Sequence, residues 1–551
     1  MNNKIIISIL ILFSGVLFFT GINWGLPSAK INSLYFQNTK DIKKTLNLIK
    51  KYRQKKEKPP RYLYNSIRSY HPDEYFVIKS LSSINPRKLN FNTHQFAIGG
   101  AYIYLLGVIL LIFSKLKLIY LTKNISFYFF HPFQIAKFYI VGRILSGLYG
   151  IGIILFTYLL GTNLWNNKNA GFYAGILTAL SPLVLLNSHY MYVDIPGLFW
   201  TMLALFLAVK FLKGKTNKFM PFLIGVACGI ASGNKLTFVL SFLIPFFTFV
   251  LLEKNRFILR AKNVFFSFIG FILAFFITNP YFLNAFHQLF FGKGKNAVAL
   301  SFQPNFYFLS LKDGLGLFLL IFLLAGIIFA FFKKEKEILE SDKMLVLLWI
   351  VSFFVIMSFF ALKFARYILP IIPSFIVLGI GFWMNYTNRK YSIVKKILLI
   401  LVVFITFIYG ISFLSLFIRN TRTKAGEWIS QNLPGGTTIG VTEVPWQFQV
   451  PPLNEEKYKI KSTGYNIHKV KKLLPKYFLI SSFQAPIPTY PVNLREAKKK
   501  FWKQLKKTNI YKPVKMWRIE PSFFGFTFKY KTMPQDLIYL NPTIILLKKG
   551  H

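Results

Sequence analysis

The chain has 551 residues, of which 54% are hydrophobic, 18% are aromatic and only 16% are charged. Soluble proteins usually carry about a quarter charged residues, so this composition excludes an ordinary soluble protein, and its high apolar content also excludes a disordered one. Long apolar runs recur from Ile5 to Phe417, and a membrane span needs ~20 apolar residues. The sequence therefore predicts a polytopic α-helical membrane protein.

The formal net charge of +50 comes from 68 Lys and Arg against 18 Asp and Glu. In a soluble protein such a charge would suggest nucleic acid. Here many cations lie in short loops between apolar runs, where membrane topology places them, so we expect membrane lipids and no nucleic acid as partners. The single cysteine, Cys228, excludes internal disulfides and thiolate metal clusters.

The first apolar run, Ile5 to Ile22, is long for a signal peptide and no convincing cleavage site follows it, so we interpret it as a retained span. A polar, Lys-rich stretch over about 23–95 comes next. The run Phe96–Phe113 either spans the membrane or forms an interfacial or re-entrant helix. Further apolar runs cover about 137–160, 170–188, 195–212, 219–232, 236–252, 263–279, 315–332, 344–361, 367–385 and 396–418.

The character of the chain changes at Arg419, after which no further span is found. Residues 419–551 are predicted to form a soluble α/β domain. Alternating and helical patterns predict strands at Thr437–Val444 and Tyr477–Phe483 and helices at Thr423–Asn432 and Val492–Lys507, the last one basic and amphipathic.

Short-loop charge predicts the orientation of the spans. Positive loops face the cytoplasm, and the alternate loops that lack this bias should lie outside, together with Asp194, Lys235, Arg366 and the C-terminal domain. The side on which 23–95 lies depends on whether Phe96–Phe113 spans, and the charge rule leaves that open. The basic loops are Lys213–Lys218, Glu253–Lys262, Lys333–Lys343 and Asn385–Lys396.

Two acidic positions beside apolar runs are candidates for chemistry, because polar residues at membrane edges are costly and are often functional. His71-Pro72-Asp73-Glu74 places two carboxylates after a proline, although a solvated turn would also explain it. Asp194 follows His189 at the junction of two runs, where it could equally cap a helix.

Three cations stand out for the same reason. Lys235 follows Asn234 between two runs, where it could simply snorkel. Arg366, followed by Tyr367, lies in an outer loop in which the charge rule requires no cation, although a harmless turn is the alternative. Arg143 lies inside an apolar run, where an arginine usually has an anionic partner.

One reaction uses both groups. A carboxylate at the outer membrane face can deprotonate an acceptor, while Arg and Lys hold a lipid phosphate and stabilise it as it leaves. This chemistry is the transfer of a sugar from a polyprenyl-phosphate donor, whose apolar tail requires a membrane enzyme.

A set of motifs follows one another along most of the chain. In chain order they are Trp24 to Pro27 with His71-Pro72-Asp73-Glu74, Gly142 to Ser146, Ser188-His189 to Pro196, Asn279-Pro280-Tyr281, Arg366 to Pro373, and Gly426 to Ile429 with Pro434-Gly435. These motifs resemble those of a family, the GT-C glycosyltransferases, and within it the protein O-mannosyltransferase and aminoarabinose-transferase group (glycosyltransferase family 39-like).

The resemblance implies a GT-C fold with about 11 transmembrane helices over residues 1–418. It implies that the first extracytoplasmic loop covers about 23–136, which makes Phe96–Phe113 an interfacial helix. Residues 419–551 would then form an extracytoplasmic α/β domain, and the protein would lie in the plasma membrane with its active site on the extracytoplasmic face.

The resemblance further implies an inverting transferase whose acceptor is a protein, lipid or glycan. Asp73 is the expected general base, with Glu74 in support, and Asp194 would orient the acceptor or sugar. The donor phosphate would meet Arg366, Lys235 and Arg143. The other substrate contacts would come from His71, His189 and Tyr367.

No cofactor is required by this reaction, although His71, His189, Asp73 and Asp194 could together hold a divalent cation. The alternative function is a transporter or flippase for a glycolipid or anionic lipid. Such a protein would typically show inverted repeats, and the sequence shows none. A structural or lipid-binding membrane protein would not require acids and cations on one face.

Overall fold

The computed structural model describes residues 2–95, 98–215, 217–253, 256–284, 286, 300–332, 340–385, 392–485, 496–530 and 532–550. Several predicted segments lie partly outside this set, namely the run Phe96–Phe113, the loops Lys213–Lys218, Glu253–Lys262, Asn279–Gly314, Lys333–Lys343 and Asn385–Lys396, and the helix Val492–Lys507.

The described chain is mainly helical. In order, its α-helices are α1 Asn3–Phe19, α2 Ala29–Tyr35, α3 Thr39–Gln54, α4 Glu74–Ser83, α5 Gly100–Lys115, α6 Ile125–Phe130, α7 Pro132–Trp165, α8 Lys168–Leu180, α9 Pro182–Ser188, α10 Asp194–Leu212, α11 Met220–Asn234, α12 Leu243–Phe246, α13 Phe257–Thr278, α14 Pro304–Leu315, α15 Leu317–Phe332, α16 Ser341–Phe359, α17 Ile372–Asn385, α18 Ser392–Leu414, α19 Thr421–Asn432, α20 Ile467–Leu473 and α21 Glu496–Lys507.

Within the described residues, six helical segments are long and apolar enough to cross a membrane, and the number rises to eight if each of two bent helix pairs counts as one span. This confirms a helical membrane protein. The six are Pro132–Trp165, Asp194–Leu212, Phe257–Thr278, Ser341–Phe359, Ala365–Asn385 and Ile393–Asn432. Shorter apolar helices are Asn3–Phe19, Gly100–Lys115, Met220–Asn234 and Leu236–Leu252.

Both bent pairs depart from the straight runs that hydropathy predicts, and each has a local cause. Helices α8 and α9 meet at 64°, where Pro182 opens α9. Proline lacks a backbone N–H and its ring clashes with the preceding turn, so it ends a helix. Helices α14 and α15 meet at 112° across Gly316, whose φ of +88° favours glycine. Helix α14 itself falls in a segment that we predicted to be a loop.

The chain divides into two compact units. Unit 1 consists of Met1–Ile22, Phe76–Ile109 and Gly142–Leu414, and unit 2 consists of Asn23–Tyr75, Leu110–Val141 and Ser415–His551. Unit 1 contains the apolar helices from α8 to α18, and in it α11 packs between α10 and α13.

The C-terminal part of unit 2 contains a five-stranded sheet in the order β2-β1-β3-β7-β4. Strand β1 pairs in parallel with β2 and β3, whereas β7 is antiparallel to β3 and β4. The strands are β1 Thr438–Val441, β2 Lys459–Ser462, β3 Tyr477–Ser481, β4 Tyr511–Trp517, β5 Ser522–Phe523, β6 Phe526–Thr527 and β7 Ile544–Lys549.

Helices cover both faces of this sheet. Side chains alternate along a strand, so Leu479 packs with Ile429 of α19 on one face, while Phe478 packs with Trp502 of α21 on the other. The predicted strands and helices of this region are thus confirmed as a layered α/β arrangement.

Candidate active site

The site in unit 1 is built around Asp194, which lies in the first turn of α10. A carboxylate is favoured there because it faces the positive end of the helix dipole. The side chain is buried and receives two cations. Lys235 Nζ lies 2.7 Å from Oδ1, and Arg366 Nε lies 3.5 Å from Oδ2. The first contact is a hydrogen-bonded ion pair and the second is an ion pair at longer range.

The backbone on both sides of Lys235 positions its side chain. Lys235 directly follows the last residue of α11, adopts an extended conformation and forms a β-bridge with Ile98. The Gly99 N–H donates to the carbonyl oxygen of Asn234 at 2.7 Å. A chain segment more than a hundred residues upstream therefore holds the lysine where it meets Asp194.

Aromatic rings line the two cations. Lys235 Nζ lies 4.5 Å from the ring centre of Tyr367 and 5.7 Å from that of Tyr192. The Arg366 guanidinium lies 5.5 Å from the Tyr192 ring and 4.6 Å from the Phe364 ring. Rings at this distance attract a cation and restrict its orientation. We call Asp194, Lys235, Arg366, Tyr192 and Tyr367 the Asp194 cluster.

The Asp194 cluster has the charge arrangement of an oxyanion site. Two buried cations share one buried carboxylate, so an oxyanion that reaches them meets two positive charges and one negative charge. Low local polarity strengthens these interactions compared with water, and the planar guanidinium of Arg366 can hold two oxygens of a phosphate at once. Binding and stabilising a phosphate is the chemistry that this arrangement allows.

Arg143 and His189 both contact the turn that follows α1. Arg143 Nη1 donates to the carbonyl oxygen of Ile22 at 2.6 Å. The ring nitrogens of His189 lie 2.8 Å from the carbonyl oxygen of Leu185 and 3.0 Å from that of Thr20. These contacts anchor the end of the first helix, a role that was not evident from the sequence.

In unit 2, His71, Asp73 and Glu74 lie where the chain enters α4. The Asp73 N–H donates to His71 Nδ1 at 3.3 Å. The His71 ring packs edge-on against Tyr539, with 5.5 Å between ring centres. Both His71 and Glu74 are buried. The motif therefore forms a packed turn and not the solvated turn that the sequence also allowed.

Sequence reasoning missed Arg422, which is fully buried in unit 2. Its Nη1 donates to the carbonyl oxygen of Phe448 at 2.8 Å, and its guanidinium lies 4.5 Å from the Tyr70 ring centre. Tyr70 precedes His71 directly, so Arg422 joins the acidic motif to the C-terminal segment. Tyr192 was also missed, although it stands inside the His189 to Asp194 motif.

The structure brings together four of the nine predicted site residues, namely Asp194, Lys235, Arg366 and Tyr367. Arg143 and His189 also belong to unit 1, while His71, Asp73 and Glu74 belong to unit 2. Over the described ranges, no three His, Cys, Asp or Glu side chains lie close enough together to hold a metal ion.

The class of protein suggested by these features is supported by comparison with known families. The model of the family "Dolichyl-phosphate-mannose-protein mannosyltransferase" matches residues 102–289. This range includes Arg143, His189, Asp194 and Lys235. The match confirms the predicted resemblance to the GT-C glycosyltransferases of the protein mannosyltransferase type over this part of the chain.

An uncharacterized protein of Aquifex aeolicus is 24% identical over 257 residues, which cover 45% of this chain and 50% of that relative. The chain thus spans half the length of this relative.

Two solved structures are also similar. ArnT from Cupriavidus metallidurans bound to undecaprenyl phosphate is 12% identical with a TM-score of 0.45, covering 99% of this chain and 98% of that one. The oligosaccharyltransferase of Archaeoglobus fulgidus, tethered with an acceptor peptide, is 13% identical with a TM-score of 0.45, covering 87% and 69%.

Proposed function

We propose that this protein is an inverting glycosyltransferase that moves a sugar from a polyprenyl-phosphate-linked donor to a protein, lipid or glycan. The observation that carries the proposal is the Asp194 cluster, in which Lys235 and Arg366 converge on one buried carboxylate. The match of residues 102–289 to the mannosyltransferase family supports the same reaction class.

In the proposed reaction, an acceptor oxygen attacks the anomeric carbon as the bond from that carbon to the phosphate oxygen breaks. The phosphate leaves with the bonding electrons, and the acceptor proton passes to a carboxylate. Lys235 and Arg366 stabilise the charge that builds on the leaving phosphate, with Arg143 as a further candidate. Asp194 holds the two cations in place and is also a candidate for orienting the acceptor or sugar.

Asp73 is the proposed general base, with Glu74 in support. A carboxylate is suited to the role of general base because it accepts a proton in the transition state and returns it to solvent afterwards. His71, His189 and Tyr367 are proposed substrate contacts. The proposal requires no cofactor, and direct metal analysis of the purified protein tests for a divalent cation.

We further propose a GT-C fold of about 11 transmembrane helices in residues 1–418, with an extracytoplasmic domain in 419–551. The position of α5 supports the first loop of about 23–136. Asn32 Nδ2 donates to the carbonyl oxygen of Phe129 at 3.3 Å, so the chain before α4 and after α5 packs in one unit.

The test is to incubate the purified protein with polyprenyl-phosphate sugars and to measure the release of polyprenyl phosphate. The expected result is release that an acceptor accelerates and that Arg366→Ala abolishes. Movement of an intact glycolipid between membrane leaflets, without cleavage, would instead establish the flippase alternative.

A further inference from the structure

A second candidate site lies in unit 2, and none of the predicted site residues lines it. It is a cleft of about 730 Å³ between α3 and the segment 445–456. The Lys-rich stretch that begins at Lys40 supplies one wall, and the proposed transfer reaction gives this stretch no role. We call it the α3 cleft.

The basic wall follows from helical spacing. Residues three and four apart share one face of a helix, and α3 places Lys40, Lys43, Lys44, Lys50 and Lys51 along the cleft together with Asn47 and Gln54. The opposite face carries Ile42 and Ile49, which are buried in unit 2. The helix is therefore held by its apolar face, and the lysines point away from that anchor.

The far wall is fixed to α3 by polar contacts. Lys44 forms an ion pair with Glu456, and Asn454 Nδ2 donates to Asp41 Oδ2 at 3.4 Å. Glu455 and Glu456 are the two acids that line the cleft, against five lysines. The site is thus strongly positive overall, but it contains carboxylates that can accept hydrogen bonds from hydroxyl groups.

The floor of the α3 cleft contains polar atoms that lack partners. Among the described residues, Tyr35 Oη, Asn65 Oδ1 and Ser66 Oγ are buried and make no hydrogen bond. Buried polar groups are normally satisfied, and a ligand hydroxyl that reaches these atoms supplies the missing partner. Two further aromatic side chains, Phe36 and Tyr62, line the same space and can pack against sugar rings.

We propose that the α3 cleft binds an anionic oligosaccharide. Its acidic groups meet the lysines of α3, its hydroxyl groups meet the unsatisfied floor atoms and the two glutamates, and its rings pack on the aromatic side chains. Naming this oligosaccharide as the acceptor rests on the proposed glycosyl transfer, whereas the binding itself does not. A flat anionic lipid surface fits less well, because the site is concave and Glu455 and Glu456 would face the lipid charges.

Binding can be measured without catalysis. The full-length protein, in a nonionic detergent that has no sugar headgroup, is titrated by calorimetry with hexagalacturonate and with a phosphorylated oligomannose. Maltohexaose serves as the neutral control. Binding of either anionic probe, and weaker binding of maltohexaose, is the expected result. Equal binding of maltohexaose, or no binding of either anion, overturns the proposal.

Two matched variant pairs test the walls. Lys43→Gln with Lys50→Gln should weaken binding by about tenfold, since two exposed charge contacts are lost. Lys55→Gln with Lys58→Gln removes the same charge from the neighbouring segment outside the cleft and should leave affinity unchanged. An equal loss in both pairs would reveal nonspecific charge attraction and overturn the site.

Tyr35→Phe tests the floor. Because the hydroxyl makes no hydrogen bond in the described protein, its removal should not lower the melting temperature but should weaken oligosaccharide binding severalfold. Unchanged affinity contradicts the assignment of the floor. If the protein instead binds phosphatidylglycerol vesicles preferentially, and the Lys43 and Lys50 substitutions abolish that binding, the ligand of the α3 cleft is an anionic lipid and the oligosaccharide proposal is wrong.

The two proposals fail separately. Anion binding without any release of polyprenyl phosphate would support oligosaccharide binding in the α3 cleft and contradict the proposed transferase activity. Sugar transfer to acceptors without anion binding would support the transferase activity and contradict oligosaccharide binding in the cleft.

Discussion

The ammonium of Lys235 lies 2.7 Å from the carboxylate of Asp194, and both side chains are buried. The two residues are 41 positions apart in the chain and belong to different apolar helices. Removing one member of a buried pair leaves the other charge without compensation, which costs about 3–5 kcal/mol. Loss of either partner alone should therefore destabilise the fold as well as the site.

Asp194→Asn should lower the melting temperature of the detergent-solubilised protein and abolish polyprenyl-phosphate release. Asp194→Leu combined with Lys235→Met should recover part of the stability, because no uncompensated charge from this pair remains, but it should not recover activity. Scanning fluorimetry of Asp194→Leu, Lys235→Met and the double variant measures the coupling. Strictly additive losses of stability would mean that the pair is not coupled.

Arg366→Ala should lower turnover by orders of magnitude, while donor affinity should fall less, because the contact strengthens as charge builds on the departing phosphate. Arg366→Lys should recover only part of the turnover, since an ammonium cannot grip two oxygens in the same geometry. Donor binding and single-turnover rates are measured for both variants. Full activity of the lysine variant would show that Arg366 acts only as an interfacial anchor and does not grip the phosphate.

Asp73→Asn should abolish transfer while the protein still accumulates in the membrane at its normal level. The amide keeps the shape of the side chain and removes its basicity. Activity is compared with that of Glu57→Gln, an exposed acid of the same unit, which should behave like the unmodified protein. Unchanged turnover of the Asn variant would mean that Asp73 is not the base, and Glu74 and Asp194 would be the next candidates.

The segment 23–75 and the C-terminal domain should lie on the same, outer side of the membrane, because they pack within one unit. In a Cys228→Ser background, single cysteines at the exposed positions Lys50, Lys503 and Lys215 test this with an impermeant thiol reagent on intact cells. Positions 50 and 503 should react and position 215 should not. Labelling at 503 without labelling at 50 is the outcome that contradicts the proposed topology.

Binding of an anionic oligosaccharide to the α3 cleft should tighten as the pH falls from 8 to 6. Partial burial, followed by the neighbouring Glu456, raises the pKa of Glu455 to about 7. Below that pH the side chain of Glu455 is neutral and repels an anion less. Because Glu455 still reaches solvent, the expected change is modest, about two- to threefold.

Glu455→Gln should make the affinity independent of pH over this range and close to the low-pH value. Burial, followed by Glu455, raises the pKa of the adjacent Tyr62, so that phenol remains neutral and does not contribute. A pH dependence that persists in the Gln variant would assign it to another group.

The amino-acid sequence by itself determined the local features of this protein. Hydropathy reveals most of the apolar helices, since burial in lipid requires long runs of apolar side chains. Alternation predicts β1 and β3, because successive side chains point to opposite faces of a sheet. The scarcity of carboxylates also singles out Asp194, and the charge rule singles out Arg366.

Only the tertiary structure decided which of these residues meet. No local pattern shows that Asp194 receives both Lys235 and Arg366, or that the lysines of α3 face Glu455 and Glu456 some four hundred positions away. Periodicity reports the environment of each side chain along one element, whereas a binding site depends on how distant elements pack. The broken helices follow the same rule: proline and glycine mark the breaks, but the packing of neighbouring helices sets the angles at which the chain continues.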